Sequence, residues 1–335
     1  MFLLCLYYYY MQFILLLAKK KVLQYTIVIT ICRTIIESIR RTNHMKFLIV
    51  DAFTETTFGG NPAGVVILPD GADFPSDEIM VKTAAELRYS ETAFIKKLAE
   101  NEFKIRYFTP AAEVDLCGHA TIGSFCALMH LGMVSDNCCC INHTLAGDLN
   151  INIKDGFVMM DMASPVEIAT IEDETAIREL YSVMGADYDP AKIKLLPKLI
   201  STGLPDIMMP LPTQAELNAM EPDMKALSDL SARYEVTGVH AFTLDAEDGI
   251  TAHTRNFAPL YDIDEEAATG TSNGALTYYF YLNNIVQTKD HCKIIQGEKM
   301  ERPSVILTEI NAEGSECLIK VGGSAVILAE GEINI

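Results

Sequence analysis

The 335 residues contain no CxxC pair, no GxGxxG turn and no GxxxxGK[ST] loop. The first absence, with cysteines that otherwise stand adjacent or far apart, indicates neither a zinc site nor a disulfide framework. The other two disfavour a nucleotide-driven mechanism, because no glycine turn would bring backbone amides onto a pyrophosphate. Positive charge is scarce as well: 26 Lys and Arg stand against 45 Asp and Glu, a net of −19. Residues 1–44 hold six of those bases and a single acid, Glu37, so the remainder carries 20 bases and 44 acids. A body that acidic repels phosphate backbones and anionic lipid. Neither nucleic acid nor a membrane is an expected partner of the folded body.

Long apolar runs are confined to the start of the chain. Met1–Ala18 is almost wholly apolar and ends in Lys19-Lys20-Lys21. Its length is at the lower limit for a membrane span, and its positive flank follows the run, the reverse of a secretory signal. A signal anchor, an amphipathic surface helix and a translation start placed too far upstream all fit. The last is favoured, since Met45-Lys46-Phe47-Leu48-Ile49-Val50-Asp51 reads as an N-terminal strand with its own methionine. Residues 1–44 are therefore set aside as an extension. Nine cysteines and 15 methionines suit a reducing cytoplasm. Cys138-Cys139-Cys140 reads as a loop between a helix ending near Gly132 and a strand at Asn150–Ile153.

What is present is a mixture of strands and helices without a regular βαβ rhythm. Strands are expected at Phe47–Phe53, Gly64–Leu68, Glu91–Lys96, Lys104–Phe108 and Phe157–Met162, with a helix over Ser76–Leu87. After Pro165 come helices at Ile171–Met184, Thr213–Asn218, Pro222–Arg233 and Ser272–Asn284, and strands that include Gly238–Leu244, Ile250–Asn256 and Ala325–Glu330.

One pattern occurs twice. Residues 105–129 and 252–280 each run from a strand into Phe-x-Pro (Phe108 to Pro110, Phe257 to Pro259) and an acidic stretch. A small polar turn follows (Cys117-Gly118-His119, Thr269-Gly270-Thr271), then a run of small and apolar residues. Those final runs, Ala120–Met129 and Gly274–Leu282, are apolar on nearly every face, so as helices they belong in the interior. Two copies of strand, turn and buried helix imply two domains related by a pseudo-twofold. Each turn offers unpaired backbone amides at a helix start, a setting that binds anions. Two such ends across a cleft would clamp a small carboxylate, unless Thr271 or Ser272 caps the second helix internally.

In this order and spacing the segments resemble the PhzF-like (phenazine-biosynthesis-like) isomerases, relatives of diaminopimelate epimerase. The resemblance rests on Val50-Asp51-Ala52-Phe53 with Gly60-Asn61-Pro62-Ala63-Gly64, Ser90-Glu91-Thr92-Ala93-Phe94, Phe108-Thr109-Pro110 with Asp115 to Thr121, and Glu266 to Thr271. It runs from Met45 almost to the C-terminus. It implies an α/β (α+β) fold of two pseudo-symmetric epimerase-like domains, each a curled mixed sheet around a central helix, with the active site in the cleft between them. The division is an extension at 1–44, a first domain at 45–162 completed by the last strand at 325–335, and a second domain at 163–324. The resemblance further implies a cofactor-independent, metal-free proton transfer on a small carboxylate metabolite, and a homodimer. Phenazine synthesis itself does not follow.

By the same resemblance, Glu91 is the catalytic acid/base, with burial raising its pKa toward neutrality. His119 and Glu266 match positions that touch substrate or relay protons. The family usually has Asp-Pro where this chain has Glu266-Ala267, so the role of Glu266 is less defined, and helix capping is its structural alternative. Gly118, Gly270 and Thr271 match the two anion-binding turns. Asn61 and Asp51 lie in the first matching segment, Asp51 being equally suited to a turn. Cys117 is either an inert buried residue or an auxiliary thiol activated at a helix N-terminus. Its counterpart Thr269 cannot serve as a second thiol, which disfavours two-cysteine racemisation. A Cys117-dependent racemase, epimerase or dehydratase and a non-catalytic metabolite-binding protein remain the alternatives.

Overall fold

The computed structural model describes residues 44–314 and 316–335, and residues 46–331 form one compact unit. The expectations for the N-terminal extension, with Cys5 and Cys32, lie outside the described residues apart from His44. In the first half, β1 (His44–Ala52), β2 (Asn61–Ile67), α1 (Asp77–Leu87), β3 (Thr92–Ala99) and β4 (Glu102–Phe108) come first. They lead through β5 (Glu113–Val114) into α2 (Gly118–His130), then β6 (Cys138–Thr144), β7 (Gly147–Lys154) and β8 (Phe157–Asp161). The second half opens with β9 (Val166–Thr170), α3 (Glu174–Val183), β10 (Lys198–Ser201), β11 (Pro205–Leu211), α4 (Gln214–Ala219) and α5 (Met224–Tyr234). Next are β12 (Gly238–Thr243), β13 (Ala252–Ala258), β14 (Ile263–Glu266), α6 (Gly270–Leu282), β15 (His291–Gln296), β16 (Ser304–Glu313), β17 (Glu316–Gly323) and β18 (Ala325–Asn334).

The internal echo extends to the whole pairing scheme. In the first half β1–β2 is antiparallel, β2–β3 parallel, β3–β4 and β4–β5 antiparallel, β4–β6 parallel, then β6–β7 and β7–β8 antiparallel. The second half repeats that series from β10–β11 to β16–β17. The last strands of the two repeats, β8 and β17, pair antiparallel with each other, as a twofold relation requires. The result is one continuous mixed sheet, curled around α2 and α6.

Both central helices are interior because their sequences leave no polar face. His119 through Leu128 are all buried in α2. Gly123 of that helix faces β1, where a Cβ would lie in ordinary contact with Val50 Cγ1 at 3.4 Å. Phe125 packs edge-on against Phe103 of β4 with centroids 5.7 Å apart, and Phe280 and Tyr279 of α6 pack on Phe242 of β12. Each such ring contributes roughly 2–3 kcal/mol of burial. The helices also stop alike. Gly132 (φ 67) and Asn284 (φ 56) turn left-handed, while Met133 N donates to Leu128 O and Ile285 N to Phe280 O, closing both with Schellman bonds. A second apolar layer, including Leu180, Tyr181, Leu227 and Val239, joins α3 and α5 to the other face of β10–β12.

Some expectations need correction. Cys138-Cys139-Cys140 opens strand β6 instead of a loop, with Cys140 turned inward. Helix α6 begins at Gly270, two residues early, and its N-cap Thr269 makes no side-chain capping bond; neither Thr271 nor Ser272 serves as cap. Strands β9 and β15 had no counterpart in the sequence reading. Among the described residues no helix is long and apolar enough to cross a membrane.

Candidate active site

Helices α2 and α6 point their N-termini at the same cleft. A Cβ on Gly118 would lie 3.7 Å from Gly270 Cα, so the two helix starts lie side by side. Cys117, the N-cap of α2, like Thr269 forms no side-chain capping bond, which leaves first-turn amides open. The cleft encloses about 130 Å³, room for a small molecule, and its walls include Glu91, Cys117, His119, Glu266 and Thr271.

Glu91 stands just before β3, where the parallel β2–β3 pairing carries it to the mouth of α2. His119 Nε2 lies 3.1 Å from Glu91 Oε2 and 3.4 Å from Ser90 Oγ. On its other side, His119 Nδ1 faces Cys117 Sγ at 3.4 Å and Glu266 Oε1 at 4.0 Å. Burial disfavours the cationic ring, yet Cys117 and Glu91 together raise His119 well above its ordinary value. Burial, the largest single influence, likewise pushes the Glu91 carboxyl up, but the His119 charge together with hydrogen bonds from His119, Ser90 and Cys117 outweighs it and the group lies below its ordinary value. This corrects the expectation that burial raises Glu91 toward neutrality. The raised carboxyl is Glu266: burial lifts it, and the charge of Glu91 adds to that against the pull of His119. Glu91 therefore sits as an anion, His119 as a cation, and Glu266 holds its proton more readily.

Cys117 is no activated thiolate. Burial and the Glu91 charge push its thiol up to about 11. Glu91, Cys117 and His119 do offer three donor atoms within 4.8 Å of one another, enough to ligate a soft divalent cation. Such an ion would have to displace the His119 proton and the Cys117 proton.

Other expected residues act from behind the walls. Asn61 Nδ2 donates to Ala268 O (3.0 Å) and Glu266 Oε1 (3.2 Å) and also touches His119 Nδ1 (3.2 Å), so it ties the first repeat to the second. Glu266 Oε2 accepts from Thr269 Oγ1 (2.8 Å), and Gln296 Nε2 donates to Glu266 O (2.7 Å). Thr271 O accepts from Thr202 Oγ1 (2.8 Å), fixing the first turn of α6. Asp51 is not at the cleft. Its two oxygens accept from Arg302 Nη2 (2.7 Å) and Phe58 N (3.0 Å), which makes it the anchor of the 53–60 turn. Lys96, a conceivable surface partner for Glu91, pairs with Asp73 instead.

The sequence reading passed over Ser90, Gln296 and Asp206. Asp206 lines the cleft, and burial pushes its carboxyl up to about 7. A signal for it existed: Gly203-Leu204-Pro205-Asp206 stands in the second repeat where Gly60-Asn61-Pro62-Ala63 stands in the first.

Residues 50–331 match the family described as PhzC-PhzF, phenazine biosynthesis-like protein. The chain is 30% identical over 302 residues to an uncharacterized isomerase of Clostridium acetobutylicum, spanning 85% of this chain and 96% of that protein. A crystal structure of the Bacillus anthracis phenazine biosynthesis protein of the PhzF family superposes with a TM-score of 0.75 at 24% identity, covering 87% of this chain and 99% of that one. A hydroxyproline epimerase from Agrobacterium vitis shares the fold at 14% identity, with a TM-score of 0.58 over 88% and 94% of the two chains. The chain belongs to the phenazine biosynthesis-like PhzC-PhzF family.

Proposed function

We propose that the protein is an isomerase that moves a proton between carbons of a small carboxylate, with Glu91 as the acid/base. One observation carries this reading. Glu91 Oε2 is buried at the cleft and has no hydrogen-bond partner among the described residues, only the ion-pair contact with His119. An ionised oxygen whose one close neighbour is the His119 ring keeps lone pairs open toward the cleft and is suited to accept a proton from carbon. The substrate carboxylate would rest on the amides at Gly118, Gly270 and Thr271, where both helix dipoles favour negative charge. Its C–H would face Glu91, which takes the proton and returns it elsewhere on the carbon frame. His119 holds Glu91 in its ionised form until the transfer and its charge stabilises the anionic intermediate. Asn61 and Thr269 hold Glu266 in reach of His119 as a relay.

These residues supply acid, base and anion binding themselves, which supports a cofactor-independent reaction. The names of the related isomerases agree with this class. The same proposal keeps the division into domains at 45–162 and 163–324, a homodimer, and a cytoplasmic location suited to free cysteines. A cysteine-dependent racemase is less well supported, because Cys117 holds its proton and Thr269 stands opposite.

Glu91→Gln tests the reading on a substrate that the protein turns over. Fold and ligand affinity are expected to persist while turnover falls by roughly 10²–10⁴, the contribution of a positioned acid/base. Wild-type turnover in that variant would end it.

A further inference from the structure

The two repeats differ at the place where the first keeps its carboxylate. Thr92 of β3 pairs with Phe108 and Val239 of β12 pairs with Phe257, so the repeats align on their Phe-x-Pro segments with Glu91 equivalent to Gly238. A side chain at Gly238 is impossible, because its Cβ would fall 1.8 Å from Phe257 O. The residue in register with Gly238 on the neighbouring strand is Asp206 of β11. Its equivalent in the first repeat is Ala63. The second repeat thus has a carboxyl of its own at the cleft, one strand over from the site of the first.

Asp206 is 2% exposed and lines the cleft. Ser272 Oγ, in the first turn of α6, donates to Asp206 Oδ2 and accepts from Asn256 Nδ2 (3.2 Å), so that hydroxyl is fully used. Asp206 Oδ1 has no hydrogen-bond partner among the described residues. A buried carboxyl oxygen left unmatched is destabilising, because its lost hydration is not replaced. Such a cost is retained where a ligand relieves it. The bond to Ser272 also fixes Asp206 beside the amides of α6, so a group it meets belongs to the molecule whose carboxylate those amides hold.

We propose that Asp206 is a specificity-determining residue whose unmatched oxygen accepts a hydrogen bond from a protonated nitrogen on the substrate. The substrate class is then a small carboxylate that also carries an ammonium group. This rests on the carboxylate site described under the proposed function. Burial pushes the Asp206 carboxyl up to about 7, so it is ionised at pH 8, and an anionic acceptor favours a cationic donor over a neutral one.

The test is calorimetric titration at pH 8 with matched pairs: alanine and propionate, aspartate and succinate, glutamate and glutarate, phenylalanine and 3-phenylpropionate. In at least one pair the amino acid is expected to bind ten or more times tighter than its partner. Asp206→Asn, which keeps shape but not charge, should reduce that ratio to about one and leave the des-amino affinity unchanged. Asp206→Ser repeats the measurement should the first variant fail to fold. An absent amino preference in every pair, or its survival in the variants, overturns the assignment. Gly118→Val separates this from the underlying reading: undiminished binding of the des-amino acids there removes the carboxylate site, whatever Asp206 does.

Discussion

His119 Nε2 stands 3.1 Å from Glu91 Oε2 with both side chains largely withdrawn from water, so each holds the other in its charged form. The pH dependence follows in both directions. Glu91 lies below its ordinary 4.5 and His119 well above its ordinary 6.5. The stability that Glu91 adds is complete above its unfolded value and lost as pH falls through the lower folded one. That of His119 is complete below its unfolded value and lost as pH rises through the higher folded one. The pair is at full strength between about 4.5 and 6.5. The kcat/KM profile is expected to fall on the acid side below 4.5 and on the basic side well above 6.5. His119→Asn should abolish the basic limb; a basic limb that persists would assign it to another group.

At the helix junction, size decides. A methyl on Gly118 meets the movable Met160 Cε at 3.3 Å, so Gly118→Ala should leave anion binding nearly intact. The two methyls of Val extend into the amide pocket, and carboxylate affinity should drop at least tenfold, about 1.4 kcal/mol. Equal affinities in wild type and Gly118→Val by calorimetry would contradict this.

Arg302 closes the turn that delivers Asn61. Its Nε donates to Gly60 O (2.8 Å) and its Nη2 to Gly59 O (2.8 Å) and Asp51 Oδ1 (2.7 Å), while Asp51 is 1% exposed. Removing the guanidinium strands a buried carboxylate, a change that costs about 3–5 kcal/mol when both partners are buried. Arg302 is partly exposed, so Arg302→Met is expected to cost roughly 2–3 kcal/mol in urea denaturation. Adding Asp51→Asn should restore part of that loss. Full stability of the single variant would refute the anchoring role.

Cys117 should prove dispensable. Its thiol is 7% exposed and pushed up to about 11, so iodoacetamide at pH 7 is expected to leave turnover unchanged. Cys117→Ser should retain activity within about threefold, since a thiol that keeps its proton adds little to proton transfer. Rapid inactivation by alkylation, absent in Cys117→Ser, would restore the thiol to the reaction.

The primary structure by itself determined the repeat. Helices apolar on every side have to be interior, and two such helices preceded by the same Phe-x-Pro and glycine turn dictate a doubled architecture. The positions of Glu91, His119 and Glu266 were legible for a related reason, since each lies in a segment whose order along the chain is distinctive. Strand β9 was not legible because its residues are almost all exposed, which leaves no burial pattern to read. The triple cysteine in β6 was misread because three like residues cannot display the alternation of a strand. Only the tertiary structure decided which carboxyl is lowered and which is raised. The lowered Glu91 and the raised Glu266 follow from burial and from their separate distances to one imidazole, and Glu266 comes from the other repeat. Asp51 and Asp206 changed places for the same reason: one found a guanidinium 251 residues away, and the other was left with an oxygen unmatched at the cleft. A side chain's chemistry is local, but its charge state is set by whatever the fold brings within a few ångströms.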